Sequence, residues 1–519
     1  MIKAAMAGGA AVLCPWSGVF AQSGAGLLRA PKQALVIGNS KYKQTPLKNP
    51  VNDAQGMAGV LKSAGFGVTL GLDLTQAGIR DAIRVYSESL AKTKAVGLFY
   101  FAGHGAQLAW RNYLIPVDAD IVNTEELRER GVDVNSLIEG IKRAGNPMNL
   151  IILDACRDNP FGGNSRVDQK GLSQLDAPAG TLLAYATAPG NTAIDGEGAN
   201  GLYTEHLLRE IKVPEAKVED VFKRVRLGVR RRSNGLQIPW ESTSLEEDFW
   251  FIPPRAVKEL ADHEIEQERT AELALWERIQ AASKPEPLED YLRRYPSGRY
   301  TELAQLQLDR VLANMGEKKV EVVSAPGNPY TKGTSRTDTA YRIGDEWTYH
   351  RIDLVTKEES KPRWVVTGIT DTEVIYNNGR RVTDLLGNAL QRGGGADWGP
   401  NQTVPTEFAV GKRWNSHFNF TTAKGRGSML DLELRIVDKE RITLPAGTFD
   451  AFRIEASGRA IGEARRRGKG INANRDWDWK RWYAPEQVRQ HVAWELSMRN
   501  SAGQIINSHR EELVSFKQR

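Results

Sequence analysis

Two residues able to carry nucleophilic catalysis stand at the ends of apolar runs. His104 lies in "FAGHGAQ" (101–107), after the run "AVGLFY" (95–100), and Cys156 lies in "NLIILDACRDNP" (149–160) after a second run. A thiol becomes a nucleophile when a neighbouring base removes its proton, and one imidazole can take that proton and later deliver it to a leaving amine. The pair therefore suits attack of sulfur on a carbonyl carbon, the opening step of amide hydrolysis. Each residue also has a plainer reading. A histidine between Gly103 and Gly105 suits a turn, and a lone cysteine suits an inert place in a core.

Joint chemistry needs a scaffold that brings the two ends together. From Ala34 to about Pro254 the pattern alternates: "ALVIG" as a strand, "NDAQGMAGVLKSAG" as a helix, "FGVTLGLDL" as a strand, then a helix with Ile79, Ile83, Tyr86 and Leu90 on one face. "AVGLFYF" continues as a strand, "DVNSLIEGIKRAG" as a capped helix and "NLIILDA" as the next strand. Apolar strands separated by helices predict a mostly parallel sheet with helices on both faces. Chemistry in such sheets sits beyond the carboxyl ends of the strands, where His104 and Cys156 both fall.

Residues 104 and 156 are 52 positions apart, close to the spacing of about 50 that marks caspases. "FAGHG" and "DACRD" resemble the histidine and cysteine signatures of the caspase clan, and "YATAPG" (185–190) resembles the start of its small subunit. Over residues 32–255 the chain is thus similar to caspase-like cysteine peptidases (clan CD, peptidase family C14). The resemblance implies an α/β caspase-hemoglobinase-like domain, with a large-subunit-like part at 32–165 and a small-subunit-like part at 178–255. It also implies a Cys156/His104 dyad and an oxyanion hole built from the backbone N–H groups of Gly105 and Cys156.

Departures from the pattern narrow the specificity. Caspases proper take aspartate at P1 through arginines, one of them just after the small-subunit motif, where this chain has "NTAIDG". The chain is instead similar to metacaspases, orthocaspases and paracaspases, whose pocket for a basic P1 uses two aspartates; Asp53 and Asp154 match those positions. Paired carboxylates favour a guanidinium or ammonium, so the resemblance implies cleavage of protein or peptide substrates after Arg or Lys. The plainer reading is that Asp53 caps its helix and Asp154 holds a strand end. Metacaspases commonly carry a serine where this chain has Ala102. Asp118, Asp120, Glu125 and Glu126 do not make the dense acidic run that a calcium site needs, so no cofactor is expected, with calcium dependence the open alternative. The 157–178 loop, with three glycines and with Arg157, Arg166 and Lys170, suits self-processing, with Arg166 and Lys170 as its expected cleavage points.

With 519 residues and a formal charge of +6, the chain is too long for one core and too weakly charged for the charge to specify a partner. Lys3, the small apolar stretch "AAMAGGAAVLC" and "VFA" ending at Ala21 read as a secretory signal over 1–21, giving an exported, periplasmic or secreted protein with no transmembrane span in the mature chain. Its removal takes Cys14 and leaves Cys156 as a single thiol, which no internal disulfide can occupy. Residues 256–315 read as a helical spacer in which "YLRRYPSGRYTELAQLQL" resembles one tetratricopeptide-like hairpin, and 316–337 as a polar linker. Residues 338–519 read as an all-β domain, an antiparallel sheet or open barrel, and a candidate surface for an envelope partner. From Ala464 to Arg481, seven Lys or Arg stand against two Asp near Trp477, Trp479 and Trp482, a mix that could bind an anionic polymer or glycan but is more often a solvated hairpin with its aromatics packed on one face. No nucleic-acid partner is expected. His206, His263, His350, His417, His491 and His509 show no metal-ligand spacing. Two rival functions stay open: an interaction or signalling protein of the envelope with little proteolysis, and a peptidase with a non-basic P1.

Overall fold

The apolar runs become the strands of one sheet. In chain order the elements are β1 (Lys32–Gly38), α1 (Pro50–Ser63), β2 (Gly67–Leu72), α2 (Gln76–Thr93), β3 (Val96–Ala102), β4 (Gly105–Leu108), β5 (Arg111–Leu114), α3 (Thr124–Arg130), β6 (Val132–Asp133), α4 (Val134–Ala144), β7 (Asn149–Asp154), β8 (Thr181–Tyr185), α5 (Leu202–Glu210), α6 (Val218–Arg232) and β9 (Trp240–Thr243). The computed structural model describes residues 27, 29–121, 123–155, 171–193, 198–254, 262–322, 327–392, 396–421, 427–466, 469–472 and 474–519. Cys156, Arg166, Lys170 and residues 1–21 lie outside the described residues.

The sheet runs β2-β1-β3-β7-β8-β9, parallel from β2 to β8, with β9 antiparallel to β8. Alternate residues feed two layers. Val36, Leu98, Tyr100 and Ile152 pack with Met57 of α1, Leu207 of α5 and Phe222 of α6, while Ile37, Phe99 and Ile151 pack with Ile83 of α2 and Ile138 of α4. Burial on both faces is why β3 and β7 read as unbroken apolar runs. Helix ends follow their caps. Asp133 accepts from Asn135 N–H at the start of α4, which stops at Gly145 in the left-handed region (φ 55°).

Three further helices follow, α7 (Asp262–Ile279), α8 (Pro285–Arg294) and α9 (Thr301–Asn314). Trp276 stacks on Tyr300 at 5.5 Å, and Leu227 of α6 joins their core, so this spacer packs on the sheet domain. Buried Arg230 of α6 strengthens the join through ion pairs to Asp309 (2.6 Å) and Glu317 (2.5 Å). The polar stretch 316–337 is more than a tether where it is described. Asn328 Nδ2 donates to Ser173 Oγ (3.0 Å) and the Gln174 carbonyl (2.9 Å), Thr331 Oγ1 donates to Asp176 (2.7 Å), and Asp176 N–H donates to the Tyr330 carbonyl (3.0 Å). Its polar side chains are hydrogen-bond partners of the segment leading into β8.

Beyond Tyr341 the strands are antiparallel, and the sheet closes where the sequence left an open edge. The strand Glu346–Asp353 pairs with Arg363–Ile369 on one side and with the last strand, Ile505–Lys517, on the other, completing a ring of 12 strands among the described residues. Trp347, Tyr349, Tyr376, Phe418, Leu432 and Ile454 are among the buried residues that fill it. Trp477, Trp479 and Trp482 are also buried, at 8%, 5% and 8% exposure, and Arg481 lies over the Trp479 and Trp494 rings at 4.6 and 4.5 Å. Trp477, Trp479 and Trp482 of that basic-aromatic stretch thus belong to the core. No helix among the described residues is long and apolar enough to cross a membrane.

Candidate active site

His104 sits between β3 and β4 and is 4% exposed. Its Nε2 lies 2.8 Å from the Thr45 carbonyl oxygen and 2.9 Å from Thr45 Oγ1. A carbonyl only accepts, so Nε2 carries the proton and Nδ1 carries the lone pair of the neutral ring. Tyr42 fixes the residue from the other side. Its hydroxyl accepts from His104 N–H (2.9 Å) and donates to the Ile115 carbonyl (3.1 Å), and its ring lies 4.4 Å from the imidazole. Backbone, tautomer and ring plane are thus all specified, as a positioned base requires.

Sheet register brings the histidine and cysteine segments side by side. Ala102 pairs with Asp154, so His104 and Cys156 each follow a register partner by two positions in the sequence. Gly103 N–H donates to the Asp154 carbonyl (3.3 Å). A Cβ on Gly105 would fall 2.4 Å from the Ala155 carbonyl oxygen and 3.1 Å from Ala155 Cβ, so only glycine allows this approach. Ile115 N–H donates to the His104 carbonyl (3.0 Å), which makes the next pair, Gly105 with Leu114, a non-hydrogen-bonded one. The Gly105 N–H therefore faces away from β5.

The two aspartates converge on the start of α5. Buried Asp53, in the first turn of α1, accepts at Oδ1 from Gly201 N–H (3.0 Å) and Asn200 Nδ2 (2.9 Å), reaching across to the start of α5. Asp154, ending β7, accepts at Oδ2 from Thr204 Oγ1 (2.8 Å). Burial, and then the charges of Asp154 and Asp53, push the Tyr100 hydroxyl well above the ordinary tyrosine range. Both carboxylates thus lie near one buried phenol at one end of the sheet. Thr45, Tyr42, Tyr100 and Thr204 escape sequence reasoning because each lies outside the motifs; Tyr100 reads only as a core residue of its strand.

The acidic residues after His104 serve local structure. Asp118 accepts from Gln76 N–H (2.9 Å), Asp120 from Gln44 (2.9 Å), and Asn123 caps α3 with Glu125 and Glu126 in its first turn. Among the described residues no three His, Cys, Asp or Glu side chains cluster as metal ligands would. His350, His417 and His491 pair with Glu359, Asp431 and Glu511, and His206 accepts from Arg209.

Residues 31–250 match the family model of the caspase domain of peptidase family C14. The human mucosa-associated lymphoid tissue lymphoma translocation protein 1 is 30% identical over 185 residues, which is 35% of this chain and 22% of that protein. Its mouse homolog is 29% identical over 185 residues, 35% of this chain and 21% of its own length. The chain thus spans less than a quarter of these relatives. Matched sequence and parallel sheet order agree that residues 31–250 carry a caspase domain of peptidase family C14.

Proposed function

We propose that the chain is a cysteine endopeptidase that cleaves after Arg or Lys. The observation that carries this reading is the fixed tautomer of His104: Nε2 is tied to the Thr45 carbonyl, and Nδ1 is the basic nitrogen at the end of the strand paired with β7. In the proposed reaction Nδ1 takes the Cys156 proton, sulfur bonds to the scissile carbonyl carbon, and the oxyanion is met by the N–H groups of Gly105 and Cys156. Collapse of the adduct expels the amine, which leaves with the proton held by His104; water then releases the acid and restores the thiol. Donors preorganised for an oxyanion contribute about 10²-fold or more in rate.

Asp53 and Asp154 supply the acidic end of the P1 pocket, and a guanidinium, with its planar fork, is the best match for paired carboxylates. Self-cleavage at Arg166 or Lys170 follows from the same preference. Export of the chain and recognition of an envelope partner by the β-barrel complete the reading.

The test compares residues 22–519 with the Cys156→Ala variant on fluorogenic peptides that differ only at P1: Arg, Lys, Asp and Ala. Turnover of the Arg and Lys peptides is expected from the first protein, with loss of about 10³-fold or more in the variant. Preference for Asp or Ala overturns the basic-P1 reading. Silence on every peptide, with calcium added and after nicking of the 157–178 loop, overturns the peptidase reading in favour of an interaction protein.

A further inference from the structure

Thr204 is fully buried in the first turn of α5 and touches two hydroxyl-bearing or charged partners. Its Oγ1 lies 2.8 Å from Asp154 Oδ2 and 2.6 Å from the Tyr100 hydroxyl. A threonine hydroxyl has one proton and an ionised carboxylate only accepts, so Thr204 donates to Asp154 and Tyr100 must donate to Thr204. The relay therefore has one direction: Tyr100 to Thr204 to Asp154. Tyr100 is fully buried in β3, and its raised pKa keeps it a donor across any working pH.

The same helix start holds the second carboxylate. Gly201, the N-cap residue of α5, donates its N–H to Asp53, and Asn200 adds its side-chain amide. Asp53 and Asp154 are thus gripped by residues three apart on one helical turn. This turn sets where the two carboxylates stand relative to each other.

We propose that Thr204 is a positioning residue for P1 specificity, its hydroxyl, backed by Tyr100, fixing the Asp154 carboxylate in the orientation that pairs with a guanidinium. The proposal rests on the basic-P1 reading above and names the group that tunes it. A planar fork demands a set carboxylate plane, whereas an ammonium is a point charge that tolerates rotation. Loss of the relay must therefore harm Arg-P1 substrates more than Lys-P1 substrates.

The experiment measures kcat and KM for matched Arg-P1 and Lys-P1 peptides in the full chain and in Thr204→Val, Thr204→Ser and Tyr100→Phe, with the rate of Cys156 alkylation by iodoacetamide as a readout that does not use the P1 pocket. Thr204→Val is expected to raise KM for the Arg peptide about tenfold while kcat changes by less than about threefold, and to lower the Arg-to-Lys ratio of kcat/KM. Thr204→Ser restores both, Tyr100→Phe shifts both in the same direction by less, and the alkylation rate holds. If the parent protein cleaves Arg peptides and Thr204→Val keeps its KM and its Arg-to-Lys ratio, the relay is overturned while the P1 reading stands. If the parent protein cleaves neither Arg nor Lys peptides, the P1 reading itself fails and takes the relay with it. Should Thr204→Val not fold, Tyr100→Phe decides: an unchanged ratio there overturns the proposal.

Discussion

His104 owes its tautomer to a backbone carbonyl, and that has a measurable consequence. Thr45→Val removes the Oγ1 contact to Nε2 and leaves the carbonyl contact in place, so kcat is expected to stay within about threefold of the parent. A loss of hundredfold would place the orienting role on the hydroxyl instead. Gly105→Ala is the opposite case. Its Cβ would meet the Ala155 carbonyl at 2.4 Å, which forces the histidine and cysteine segments apart, and activity is expected to fall by about 10²-fold or more, as a misplacement of about 1 Å can cause. His104 and Asp154 are singled out in the sequence by the motifs that hold them, and Asp53 by its place in the resemblance. Thr45, 59 positions from His104, and Thr204, 50 positions from Asp154, are not, since nothing local marks a residue whose partner is brought to it by the fold.

At the scale of elements, α5 and α6 meet closely: a Cβ on Gly228 of α6 would fall 2.3 Å from His206 Nδ1. The His206 imidazole accepts from Arg209 (2.8 Å), and burial, followed by the charges of Arg209 and Arg232, lowers its pKa to about 4. A histidine with a folded pKa below its unfolded value of about 6.5 gives stability that is fully present above the unfolded value and is lost as pH falls through the folded one. Unfolding by urea is therefore expected to become easier between about pH 6.5 and about pH 4, and less so in His206→Gln. An equal loss in both proteins would remove His206 as a cause. The core faces of α2 and α4 were readable from spacing and caps, because a buried helix repeats its apolar contacts along one face. The grip of α5 on both carboxylates had no such periodic signal.

Across the whole molecule, one buried guanidinium ties the sheet domain to the spacer. Arg230 is 3% exposed and bonds Asp309 and Glu317, so Arg230→Ala leaves two acidic groups facing a lost partner. The expected cost is about 3 kcal/mol in denaturant unfolding, and a change below about 1 kcal/mol would show that the join is held by its other contacts. Barrel closure was beyond the sequence for a related reason. Strand alternation shows which face is buried, but the pairing of Glu346 with Lys517 joins the two ends of the domain, and no local pattern records it.

Peptide halomethyl ketones with Arg or Asp at P1 address the dyad and the acidic pocket in one reaction, since a thioether forms only where an activated sulfur meets an accepted side chain and the halide leaves. Intact mass and peptide mapping of residues 22–519 are expected to show one Arg-probe adduct per chain, at Cys156, formed at least tenfold faster than the Asp-probe adduct and lost in His104→Ala. Faster labelling by the Asp probe, or an Arg-probe adduct that survives unchanged in His104→Ala, would contradict the assignment of a histidine-activated Cys156 facing an acidic P1 pocket.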